Sequence, residues 1–142
     1  MRIDYLNAER YPDPTAFKAL VNIDRAENPK FRPLVYVCSP YSGDTEHNVR
    51  AAQRYCRFVI SQGCIPVAPH LLYPQFLDNE DEEERSLGQF CGKVLMSKCH
   101  EFWVFGNQIS EGMQAEIRRA KYKGMRIRHF NSILKEVTWN DC

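Results

Sequence analysis

The sequence predicts an α/β fold, an open and doubly wound parallel sheet of the flavodoxin-like or Rossmann-like kind, layered as helix, sheet and helix. Three observations predict it. Short, nearly apolar runs such as Leu34-Val35-Tyr36-Val37-Cys38 and Glu101-Phe102-Trp103-Val104-Phe105 suit strands covered on both faces. Segments with helical periodicity separate these runs. Gly63, Gly106 and Gly124 stand at the junctions, where a chain reverses from one element into the next.

The elements follow in order. Residues 1–32 carry Pro12, Pro14 and Pro29, and between these Thr15 to Glu27 reads as a short helix capped by Asp13, with Phe17, Leu20 and Val21 as its apolar stripe. This is an N-terminal arm that packs on the domain or on a second subunit. The sheet domain is expected over 33–130. Leu34 to Cys38 is its first strand, and the turn Ser39-Pro40-Tyr41-Ser42-Gly43-Asp44 leads into a helix over Thr45 to Gln62, with Val49, Ala52, Cys56, Val59 and Ile60 facing inward. Cys64 to Ala68 is a second strand, and Pro66 is expected near the start of the strand or on an edge. Pro69 to Asp78 reads as a loop. The acids Glu80 to Glu84 open a helix that runs to about Lys98, since negative side chains favour a helix start. Glu101 to Phe105 is the third strand, Ser110 to Lys123 the last helix, and Met125 to Phe130 the last strand, leaving 131–142 as a tail.

Composition removes several functional classes. A chain of 142 residues suits one such domain. Lys and Arg number 19 against 18 Asp and Glu, so the formal charge of +1 supplies no basic excess for nucleic-acid binding. The cluster Arg118, Arg119, Lys121, Lys123, Arg126 and Arg128 therefore reads as a solvated face. No apolar run approaches the roughly 20 residues of a membrane span, and MRIDYLNAERYPDP lacks an apolar signal core, so a cytoplasmic protein is expected. The six cysteines, at 38, 56, 64, 91, 99 and 142, show no C-x-x-C spacing, and the four histidines form no zinc-binding pair. Reduced, structural thiols are expected, with no metal and no cofactor.

In open α/β sheets the ligand lies beyond the carboxyl ends of the strands, where the strand order reverses. That rule selects the turns 39–44, 69–78 and 106–112. Ser39, Ser42 and Gly43 precede a helix whose free amides can hold an anion, although Asp44 or Thr45 can equally cap those amides. In the last helix Met113, Ile117 and Ala120 form the buried stripe, and Gly112 and Glu116 stack one turn apart beside it. A glycine there leaves space over Glu116, so its carboxylate can meet a ligand. The plainer alternative is a solvated Glu paired with Arg118 or Arg119. Tyr41 and Tyr73, on loops, can sandwich a flat base.

The first strand with S-P-Y-S-G-D, then Asn48, Pro69-His70 and W-V-F-G-x-x-I-S-x-G-M-x-x-E-I, resembles the nucleoside 2-deoxyribosyltransferase superfamily over about residues 33–130. Within it the chain resembles a partly phage-encoded branch akin to nucleoside 5′-monophosphate N-glycosidases. The resemblance implies that Glu116 attacks the anomeric carbon of a nucleotide or nucleoside, in a retaining glycosyl transfer through a covalent intermediate. It places Ser39, Tyr41, Ser42, Gly43, Asn48, His70, Tyr73, Ser110, Gly112 and Met113 around the substrate. It also implies a homo-oligomer. Ser110 stands where base-exchanging relatives carry Asp and monophosphate hydrolases carry Ser, which favours a 5′-phosphate; a simple helix cap is the alternative. This branch usually has Asp at the position of His100, which leaves open the acid for the departing base. Asp78 is preferred, His70 and Glu101 being the other candidates, while Asp78 can equally cap the next helix. A non-catalytic nucleotide-binding protein is the second reading.

Overall fold

In the computed structural model, residues 31–138 are described. The helix expected over Thr15–Glu27 lies outside them. Five strands form one sheet: β1 (Leu34–Cys38), β2 (Ile65–Val67), β3 (Glu101–Phe105), β4 (Arg126–Phe130) and β5 (Glu136–Val137). Their order is β2-β1-β3-β4-β5, with the first four parallel and β5 antiparallel to β4. Four helices connect them: α1 (Thr45–Ser61), α2 (Pro69–Leu72), α3 (Glu82–Ser97) and α4 (Glu111–Tyr122).

The alternation of side chains along each strand divides the core into two layers. Odd-numbered Val35, Val37, Trp103 and Phe105 pack with Tyr55 and Val59 of α1. Even-numbered Tyr36, Cys38, Phe102 and Val104 pack on the other face with Met96 of α3 and Met113, Ile117 and Ala120 of α4. The sheet is therefore doubly wound, as the apolar strands require. Emptying such a site, as in Phe102→Ala, costs about 3–5 kcal/mol, because the sheet cannot collapse into the void.

Local chemistry accounts for most boundaries. The Asp44 carboxylate accepts from the His47 amide at the start of α1, and Gly63 takes a positive φ of 78° just past its end. Asp81 caps α3 by accepting from the Glu83 amide, and Glu82, Glu83 and Glu84 occupy its first turn. Pro66 stands on β2, an edge strand, as a residue without an amide hydrogen should.

Three expectations are corrected. The segment after β2 is not a loop throughout: Pro69 opens the short helix α2, and a 3-10 turn follows over Tyr73–Gln75. In α1, Ala51 and Tyr55 are buried along with Ala52 and Val59, and Tyr55 stacks on Phe105 at 4.6 Å between ring centroids. The sheet also continues past Phe130. The Asn131 side chain accepts from the Ile133 and Lys135 amides, reversing the chain so that β5 pairs with β4. Glu136 then grips Arg128 through two bonds of 2.8 and 2.7 Å, holding its guanidinium over the Trp103 ring. No described helix is long and apolar enough to cross a membrane.

Candidate functional site

The strand order reverses between β1 and β3, since the chain leaves β1 for β2 on one side and returns to β3 on the other. α4 follows β3 and packs over the face that carries Tyr36 and Cys38. Met113 and Ile117 anchor it there, and Glu116, between them in the helix, is carried inward against β1.

The Tyr36 hydroxyl donates a short hydrogen bond to Glu116 Oε2. The Cys38 thiol points at Glu116 Oε1 from 3.7 Å and lies 4.0 Å from the Met113 carbonyl. Among the described residues no cation pairs with this carboxylate; Arg118 and Arg119 are exposed. Burial pushes the Glu116 carboxyl above the ordinary glutamate value, and the Tyr36 and Cys38 bonds pull it only part of the way back. Burial and the neighbouring carboxylate in turn drive Tyr36 and Cys38 well above their ordinary values, so both remain neutral hydrogen-bond donors. A carboxylate held by neutral donors rather than a salt bridge keeps its charge available to an incoming electrophile.

Beside this group, at the carboxyl end of β1, Ser39 is 6% exposed and its Oγ lies 2.8 Å from His70 Nε2. Burial lowers His70 to about 4, so the imidazole is neutral near pH 7. The Tyr41 ring meets His70 edge-on, with centroids 6.4 Å apart. Asn48 is a brace: its amide donates to the carbonyls of Tyr41 and Ser42 at 3.1 and 3.0 Å, fixing the turn from α1. Gly43 has a φ of 98° and open space where a Cβ would stand, so the turn needs glycine for its backbone rather than for room. Ser42 and Gly43 are exposed.

At the start of α4, Ser110 is the N-cap, its Oγ accepting from the Met113 amide at 3.2 Å. The hydroxyl hydrogen is still available to a ligand. One turn before Glu116, a Cβ on Gly112 would meet only Ser110 Oγ, at 3.9 Å, so the helix surface at Gly112 is uncrowded. Met113 is a core residue whose carbonyl borders the site. Tyr73 packs edge-on against Phe76 at 5.7 Å and backs onto Gly88 of α3, and Tyr41 is not its stacking partner.

The acid candidates separate clearly. Asp78 is exposed and occupied locally: its carboxylate accepts from the Glu80 amide at 2.9 Å, and its own amide donates to Glu84. It does not cap α3, which Asp81 does, and no contact joins it to Glu116. Glu101 opens β3, at the opposite end of the strands from the site, where it accepts from Trp103 Nε1 at 2.9 Å and faces Arg126. His100 accepts the Leu34 amide on Nδ1 at 2.9 Å, while its own amide donates to the Leu34 carbonyl. It thus extends the β1–β3 pairing, and an Asp there can supply the same acceptor. His70 and Asp78 both follow the carboxyl end of β2, and of the three candidates His70 is the one bonded to the end of β1, through Ser39.

Tyr36 and Cys38 are the residues that the sequence reading missed. Their signal is the period of two, which puts both on the strand face that receives the α4 stripe. Two grooves, of about 280 and 340 Å³, lie along β4–β5 and beside β2, and Glu116 lines neither. No cluster of three His, Cys, Asp or Glu is placed to hold a metal among the described residues, and the five described cysteines are free thiols. No curated protein matches the chain. A family model does, over residues 33–130, the span that carries β1 to β4 and every residue of the site, and its description is Domain of unknown function (DUF7768); the chain belongs to that family.

Proposed function

We propose that the protein cleaves or exchanges the N-glycosidic bond of a nucleoside 5′-monophosphate or nucleoside, with Glu116 as nucleophile. The observation that carries this reading is the placement of Glu116: a largely buried carboxylate at the strand-order switch point, without a salt bridge among the described residues, oriented by Tyr36 and one turn after the uncrowded Gly112. The resemblance to the nucleoside 2-deoxyribosyltransferase superfamily supplies the reaction class.

Tyr36 holds Oε2, and Oε1, met only by the weak thiol donor of Cys38 at 3.7 Å, is the oxygen that attacks the anomeric carbon. A C–O bond forms as the bond to the base nitrogen breaks, and the base departs with the bonding pair. Water or a second base then attacks the same carbon, gives up its proton to solvent, and releases Glu116 as a carboxylate. The departing base requires a proton. Asp78 and Glu101 are held elsewhere, and His70 is the titratable side chain at the neighbouring strand end. Its neutral state at rest means that the proton must arrive with the substrate or from solvent through the Ser39–His70 pair.

The test is chromatographic detection of free base from a panel of nucleosides and their 5′-monophosphates. Wild type should release base from at least one, and Glu116→Gln should reduce release by at least about a thousandfold while retaining ligand affinity. Turnover in Glu116→Gln comparable to wild type would sink the mechanism. Tight nucleotide binding with no base release from any member of the panel would identify a binding protein instead.

A further inference from the structure

α3 carries apolar side chains that its own domain does not cover. Leu87 is 51% exposed, Phe90 62% and Val94 42%. Spaced three and four residues apart, they form one ridge of the helix. Glu83 extends that ridge by one turn at its start, and Lys98 extends it at its end. The opposite side of the helix faces inward: Gly88 lies against Tyr73 and Leu77, Gly92 against Pro69 and the Tyr36 hydroxyl, and Met96 is buried. The ridge therefore points away from the domain over about 22 Å, at 1.5 Å per residue.

Its charges decide what covers it. Neither the Glu83 carboxylate nor the Lys98 ammonium has a side-chain partner among the described residues. Glu83 and Lys98 share the same sequence midpoint as Leu87 and Val94, between Phe90 and Cys91. An antiparallel copy of the helix, related by a two-fold axis at that midpoint, sets Glu83 against Lys98 at both ends and Leu87 against Val94 inside them. A parallel copy would set like charges together. The ridge is complementary to itself in one orientation, which is the property an isologous interface requires.

We propose that α3 is a two-fold interface through which two copies of this chain associate, helices antiparallel and Phe90 at the centre. This is independent of the reaction assigned to Glu116. Sedimentation equilibrium of the full chain at micromolar concentration in low salt tests it. Wild type should be dimeric, and Phe90→Arg should be monomeric with unchanged far-ultraviolet circular dichroism. Glu83→Lys and Lys98→Glu should each weaken the dimer by about tenfold, since each change affects two symmetric contacts. The double variant should restore wild-type affinity. A monomeric wild type, a dimer indifferent to Phe90→Arg, or a double variant no tighter than the singles would overturn the proposal.

Discussion

At Glu116 two effects of opposite sign meet, because removal from water raises its pKa while hydroxyl donation from Tyr36 favours the anion. Tyr36→Phe removes the second effect and keeps the ring stacked on Phe102, 5.3 Å between centroids. A hydrogen bond to a charged group is worth about 1.5–3 kcal/mol, so the variant should lose about ten- to a hundredfold in base release. The nucleophile must be ionised, so the acid limb of the pH–rate profile should also move to higher pH, and an unmoved limb would show that Tyr36 does not tune the carboxylate. Glu116 was legible in the sequence because glycine one turn before a carboxylate is unusual inside a helix. Tyr36 and Cys38 were not, because a buried strand reads as one apolar run and its two faces are distinguished only when a partner helix is assigned to one of them. The local bond of Asp78 was not legible for the converse reason: an acid in a loop can satisfy amides two residues away, and sequence spacing does not reveal that choice.

The helix starts are the elements on which ligand chemistry depends. α4 begins with Ser110 as its cap and Glu111 in its first turn, and the free amides there favour an anion. Ser110→Asp keeps a good capping group, so the helix should persist, but it places a carboxylate where a 5′-phosphate would bind. Calorimetric titration should show monophosphate affinity falling at least about tenfold, with nucleoside affinity changing by less than about threefold. Equal losses for both ligands would remove the phosphate from this helix start. The major elements were readable to within two residues, since Asp44, Gly63, Ser110 and Gly124 mark their ends through backbone chemistry that acts locally. β5 was not readable. Its two residues carry no strand pattern, and they pair only because the Asn131 turn returns the chain to β4 and Glu136 finds Arg128.

Across the whole molecule, the site affects stability through two groups that bind protons with opposite preference. His70 is lowered from 6.5 to about 4, so between those values the unfolded chain holds more protons than the folded one, and stability rises with pH, becoming complete above 6.5. Glu116 is raised above 4.5, so from 4.5 up to its folded value the folded chain holds more protons, and stability falls with pH. The two slopes oppose each other over a shared acidic window, each limited to about 1.4 kcal/mol per pH unit for a single proton. Tyr36 and Cys38, the groups against Glu116, titrate far above this window and do not contribute. Single variants should expose each slope in turn. Glu116→Gln retains an acceptor for Tyr36 and removes the falling slope, so relative to wild type it should gain stability as pH rises from 4.5. His70→Gln retains a partner for Ser39 and removes the rising slope, so relative to wild type it should gain stability as pH falls from 6.5 towards 4. Urea unfolding at half-unit pH intervals measures both differences against wild type, cancelling the contribution of surface carboxylates. Differences that tilt the same way in the two variants would contradict the burial assigned to one of these side chains.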